Sequence, residues 1–177
     1  SRALFIDIGG GTTEVILGNS REYEMLESLK LGAIRLSDRF LHGHTGRVSK
    51  KLYRKMLEYA QGVAAPAVSK IRALGFDTVY GSSGTIINLA EITARRGAAG
   101  VSTIRNYHKR ADDLRETIEM LCEMDLEKRC GVPGMGCWWV PGWVFVWFFL
   151  GWGVLGWNLH CSAGFLRPWW LRPRPGG

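Results

Sequence analysis

The sequence predicts an α/β domain followed by a tail of different character. Three observations predict it. The apolar run Ala3-Leu4-Phe5-Ile6 opens directly into Asp7-Ile-Gly-Gly-Gly-Thr-Thr-Glu14, the pattern of a short buried strand that ends in a glycine turn. Strand-like segments then give way to helical spacing, and a second strand–glycine–helix junction follows near residue 81. Composition changes abruptly at about residue 131.

Each element has a local reason. Ala3–Ile8 reads as a strand, Glu14–Leu17 as its antiparallel neighbour, and Gly18-Asn19-Ser20 as the turn after it. Tyr23–Leu31 reads as a third strand, broken by Gly32-Ala33. Leu36 and Phe40 are four apart, which predicts a short helix over Ile34–Leu41. Ser49 is placed to cap a helix reaching about Leu74, with Leu52, Met56, Tyr59 and Val63 as its buried stripe. Pro66 is expected to kink or split that helix. Asp77–Tyr80 reads as a strand, Gly81-Ser82-Ser83-Gly84-Thr85 as a loop, and Ile86–Arg95 as the helix it opens. Asp112 or Asp113 starts a further helix, with Leu114, Ile118, Leu121 and Cys122 on one face.

The chain has 177 residues and a net charge of +7, but that average hides two segments. Residues 1–130 hold all 16 acidic residues and 20 of the 23 basic ones, so their net charge is only +4. Arg47–Lys55 is their most basic run and reads as a solvated helix face, so no nucleic-acid partner is expected. The four cysteines, at 122, 130, 137 and 161, form no CxxC pair, and Cys122 reads as a core residue. His42 and His44 lack partners at metal-ligand spacing and read as loop residues. Asp7 interrupts the first apolar run too early for a signal peptide, so a cytoplasmic protein is expected. A start this close to a strand suggests further residues upstream.

The chemistry sits in the two glycine junctions. Three glycines let the main chain turn tightly and approach a ligand. Successive amides in such a turn make a concavity for anions. Asp7 at the strand end suits a divalent cation, and Glu14 can help hold it or position a water. Gly84 and Thr85, opening a helix, add a second anion-friendly terminus. A plain hairpin could use glycines in its turn, but it requires neither three in a row nor an acid on either side of them. The parts together predict polyphosphate chemistry.

Three blocks carry a resemblance: Asp7–Glu14, Ser28–Leu36 and Tyr80–Ala90. In order and spacing over about residues 1–135, they resemble the exopolyphosphatase/guanosine pentaphosphate phosphohydrolase family of the actin-like ATPase clan. The resemblance implies a ribonuclease-H-like lobe, one of two that close over an active site. It implies hydrolysis of terminal phosphoanhydride bonds in polyphosphate or pppGpp with a divalent metal, usually Mg²⁺. By position, Asp7 would bind the metal and Glu14 would position the attacking water. Gly9, Gly10, Gly11 and Thr12 would form the phosphate loop, with Gly84 and Thr85 facing the same cleft. Family members are often homodimers. The family's other phosphate loop, of Asp-x-Gly-Ser-Asn type, has no counterpart here. Neither has its Gly-x-Glu-Glu-like glutamate segment. A lobe incapable of turnover by itself is therefore expected. A non-catalytic phosphate-binding module and a sugar kinase or ATPase of the same clan remain open alternatives.

Residues 131–177 hold all eight Trp, five of the six Pro and no acid. Trp, Gly, Arg, Pro and Cys are what GC-rich coding DNA yields in a wrong frame. The change falls where the family pattern stops. An aberrant, frameshifted tail is the expectation. The rival is a membrane anchor: Trp138–Trp157 is 20 residues without a charge, with Arg167, Arg172 and Arg174 beyond it.

Overall fold

The computed structural model describes residues 1–42, 45–96, 107–109, 111–132 and 159–161. His44, Cys137 and the uncharged stretch Trp138–Trp157 lie outside them. Three strands come first: β1 (Ala3–Ile8), β2 (Thr13–Gly18) and β3 (Tyr23–Leu29). Two helices follow, α1 (Ala33–Phe40) and α2 (Lys50–Leu74). Then come β4 (Thr78–Ser82), α3 (Gly84–Arg96), β5 (Tyr107–Lys109), α4 (Ala111–Glu123), α5 (Leu126–Cys130) and β6 (Leu159–Cys161). The strands form one mixed sheet in the order β3-β2-β1-β4-β6-β5. β2 is antiparallel to both β1 and β3, β4 is parallel to β1, and β6 is parallel to β4. The expected α/β class is the one found.

Side-chain alternation divides the two faces of the sheet. Leu4, Ile6 and Ile8 of β1 turn to the core with Val15 and Leu17 of β2, Met25 and Leu29 of β3, and Val79 of β4. Apolar residues of α2, α3 and α4 complete that core. The register places Phe5 and Asp7 on the other face, opposite Ile16 and Glu14 of β2 and beside Tyr80 and Ser82 of β4. Phe5 and Tyr80 stack there, with ring centroids 5.1 Å apart.

The long helix departs from its sequence reading twice. Pro66 does not interrupt it; α2 is continuous from Lys50 to Leu74. Proline removes one amide and crowds the carbonyl four residues earlier. That residue is Gly62, and both Gly62 and Pro66 are exposed, so water can take the lost hydrogen bond. The buried line is also different. Met56, Ala60, Ala64, Ala67, Val68 and Ile71 are buried, whereas Leu52, Tyr59 and Val63 pack only at the margin of the core. Alanines on the inner face let the helix approach its neighbours closely, a signal that a search for large apolar residues passes over. Ser49 caps the helix as expected, accepting from the Leu52 amide at 3.2 Å.

Other differences concern bounds and small elements. Gly81 and Ser82 belong to β4, and α3 begins at Gly84, so the expected second loop reduces to Ser83. The short elements β5, α5 and β6 carry no clear periodicity. β6 lies beyond the expected domain boundary at residue 130, yet its backbone joins the same sheet between β4 and β5. Cys122 packs against the core as expected, and burial pushes its thiol up to about 11. Arg129 is buried and ties α5 to the chain before α2, its Nη2 donating to the Gly46 carbonyl at 3.0 Å. Among the described residues no helix is long and apolar enough to cross a membrane.

Because Pro66 sits in a helix that tolerates it only through solvent, Pro66→Ala should raise stability by about 1 kcal/mol or more. A urea melt reads this directly; a lowered midpoint would mean that the proline ring makes a contact the helix needs.

Candidate functional site

The site is built where β1 ends. The turn from Ile8 to Thr13 closes with the Gly9 amide donating to the Thr12 carbonyl at 2.9 Å. The loop then leans on α1. The amides of Ala33, Ile34 and Arg35 donate to the carbonyls of Gly9 and Gly10 at 3.0, 2.9 and 3.1 Å. The Arg35 Nε donates to the Gly11 carbonyl at 2.9 Å. A helix normally leaves its first amides without partners; here the loop's carbonyls take them. The amides of Gly10, Gly11 and Thr12 take no part in these bonds. Successive turn amides of this kind are candidates for an anion-binding concavity.

The glycines do a different job from the one the sequence suggested. Among described glycines only Gly75 has a positive φ. Gly9, Gly10 and Gly11 are therefore not needed for an unusual backbone angle. Space is what Gly10 and Gly32 provide. A Cβ on Gly10 would lie 2.9 Å from Ile34 Cδ1, and one on Gly32 would lie 2.4 Å from the Gly10 carbonyl oxygen. A Cβ on Gly11 would meet nothing within 4 Å. Gly32 and Gly10 let α1 and the loop touch, while Gly11 faces open space.

The carboxylates lie in a row across the sheet. Asp7 is paired in register with Glu14 on β2 and with Ser82 on β4, and Glu14 is paired with Ser28 on β3. The row thus reads Ser28, Glu14, Asp7, Ser82 across four strands. Each serine serves the adjacent acid: Ser82 Oγ donates to Asp7 Oδ2 at 2.7 Å, and Ser28 Oγ donates to Glu14 Oε1 at 3.0 Å. Two like charges directly opposite on neighbouring strands repel each other. A cation between them would remove that cost. The donors are hard oxygens, which suits Mg²⁺ held by one or two carboxylates with water and phosphate completing its shell. Among the described residues no cluster of three or more His, Cys, Asp or Glu could hold a metal unaided.

Ser83 joins the two glycine junctions. It is a non-glycine residue at φ +89°, a conformation that L residues adopt only under constraint. The constraint is visible: its Oγ donates to the Ile8 carbonyl at 2.8 Å and accepts from the Ile8 amide at 3.2 Å. This clamp sets the start of α3 beside the end of β1. Gly84 is exposed at that helix start. Thr85 is fully buried, and its Oγ1 has no hydrogen-bond partner among the described residues. The structure therefore brings Asp7, Gly9–Thr12, Glu14 and the Gly84–Thr85 turn to one end of the sheet. The sequence reading assigns no site role to Ser28, Gly32, Arg35, Ser82 or Ser83. Ser82 and Ser83 stood in the second glycine motif, but cross-strand register is what gives them their partners. A separate hollow of about 510 Å³ at the opposite end of β1 is lined by Arg2, Glu24 and Asp77. There Arg2 already binds Glu24 through Nε and Asp77 through its amide.

A mixed sheet of this order, with a glycine loop and paired carboxylates at the end of its first strand, is a lobe of the ribonuclease-H-like type. The comparisons with known proteins agree. The sequence model of the Ppx/GppA phosphatase family matches residues 1–136, and the chain belongs to that family. The guanosine-5'-triphosphate,3'-diphosphate pyrophosphatase of Vibrio vulnificus is 33% identical over 102 residues, 58% of this chain and 20% of that protein. The protein of the same name from Aliivibrio fischeri is 31% identical over 126 residues, 71% of this chain and 25% of its own length. This chain thus spans a fifth to a quarter of these curated relatives. Among solved structures, an exopolyphosphatase from Cytophaga hutchinsonii superposes with a TM-score of 0.78 at 23% identity, covering 90% of this chain and 52% of that one. The Aquifex aeolicus Ppx/GppA phosphatase gives 0.72 at 17%, covering 91% and 53%. These two structures share the fold.

The contact between loop and helix should be sensitive at one glycine and tolerant at another. Gly32→Ala is expected to cost about 1–3 kcal/mol through overpacking against Gly10. Gly11→Ala should stay within about 0.5 kcal/mol of the parent. Paired chemical denaturation curves decide it: equal losses at both positions would show that the crowding at Gly32 is relieved by small shifts.

Proposed function

We propose that this chain is one lobe of a phosphohydrolase that removes the terminal phosphate of inorganic polyphosphate or pppGpp by metal-assisted attack of water. The observation that carries the reading is the end of β1. There, three amides with tied-back carbonyls lie next to two carboxylates paired across strands. Few other tasks need an anion cradle and a cation seat side by side.

The roles follow from position. The amides of Gly10, Gly11 and Thr12 would hold the oxygens of the terminal phosphoryl group. Asp7, oriented by Ser82, would seat the metal, and Mg²⁺ bound there would neutralise charge on the transferred phosphoryl group. Glu14, oriented by Ser28, would accept a hydrogen bond from the attacking water and aim it. The α3 terminus at Gly84 would add its dipole to the anion's field. The described residues offer these contacts from one side of a cleft. Turnover would require a second phosphate-holding surface facing them, so binding without appreciable release is the behaviour proposed for this chain by itself. The names of the Vibrio and Aliivibrio relatives support the guanosine substrate, and that of the Cytophaga neighbour supports polyphosphate.

Equilibrium binding of pppGpp and polyphosphate to the full chain, with and without Mg²⁺, tests the reading. Binding should depend on Mg²⁺, be lost on chelation, and weaken at least about tenfold in Asp7→Asn, equivalent to about 1.4 kcal/mol. Ser82→Ala should raise the Mg²⁺ concentration needed for binding about tenfold while leaving the affinity at saturating Mg²⁺ within about twofold. Affinity indifferent to both the cation and Asp7 would refute the assignment.

A further inference from the structure

A hollow of about 610 Å³ begins at Gly10 and Gly11 and runs along α1, walled by Arg35, Asp38, Arg39 and Tyr59. Resting on the function proposed above, we infer that this hollow is a subsite for the distal phosphates of an extended inorganic polyphosphate chain, with Arg39 as its selective contact. Arg35 and Arg39 are four residues apart on one helix, so they project from the same face about one turn apart. Arg35 is fixed at the loop's rim by its Nε bond to Gly11. Arg39 lies one turn further from the loop, its guanidinium 4.4 Å above the Tyr59 ring centroid. Stacking engages the face of a guanidinium and leaves its in-plane N–H groups as donors suited to phosphate oxygens. Asp38 is the opposing charge on this wall, so the hollow carries one net positive charge. A phosphate chain leaving the loop in this direction meets Arg35 first and Arg39 next.

The same contacts argue against a guanine base as the occupant. Tyr59 is the hollow's aromatic ring, and Arg39 covers one face of it. Phe40 meets Tyr59 edge-on, with centroids 5.5 Å apart. A purine stacking on the Arg39 side would have to displace that cation. Linear phosphate needs no such displacement and uses the guanidinium as it stands.

Calorimetric titration of the full chain in Mg²⁺ with inorganic tripolyphosphate, medium-length linear polyphosphate and pppGpp tests the subsite. Arg39→Ala should weaken the long chain about tenfold and leave tripolyphosphate and pppGpp within about twofold. Arg39→Lys, which keeps the charge but loses the planar stack, should fall between. Retained tripolyphosphate binding shows that the variant is folded. Equal loss for all three ligands, no loss for any, or loss confined to pppGpp would each overturn the subsite. If the unaltered chain binds none of the three, the proposed function itself fails and the subsite falls with it.

Discussion

The Gly9 and Gly10 carbonyls accept hydrogen bonds from the first three amides of α1, and the rest of the site depends on that exchange. It settles the unpartnered end of a helix and one side of a loop at once. With its carbonyls held, the loop keeps its own amides for something else. It also fixes where α1 starts, and therefore where Arg35 and Arg39 stand relative to the loop. Only a glycine at position 32 allows the approach, because any side chain there would run into Gly10.

This arrangement changes the usual account of a helix next to an anion loop. The N-terminus of α1 is not open to a ligand; it is the support behind the loop. The dipole end that could face a ligand directly belongs to α3, which Ser83 draws up to Ile8 through a two-way hydrogen bond. The strained φ of Ser83 is consistent with a junction held by its surroundings, and such conformations cluster at functional sites. Two helices thus serve one strand end differently, one by bracing it and one by flanking it.

Much of this was legible in the sequence. Asp7, the glycines and Glu14 stand together in eight residues, and the Ser49 cap marks where α2 starts. What could not be read was whatever depends on register. Ser28 lies 14 residues from Glu14 and Ser82 lies 75 from Asp7, yet each is its acid's hydrogen-bond partner because four strands align. The reason for the glycines was also hidden. A local reading assigns them conformational freedom, whereas Gly10 and Gly32 are set by crowding against a neighbouring element. Pro66 misled for the converse reason: its local cost is real, but the packing of the long helix carries it, and the freed Gly62 carbonyl is exposed to water. β6 was unreadable because three residues after a long uncharged stretch carry no pattern of their own.

Backbone amide resonances give the most direct test of the central claim. On titration of the folded, full chain with Mg²⁺ and tripolyphosphate, the signals of Gly10, Gly11 and Thr12 should move together and saturate, while those of Ala33, Ile34 and Arg35 stay close to their starting positions. A response led by Ala33–Arg35 with the three loop amides unmoved would contradict the account, since it would place the ligand on the bracing helix.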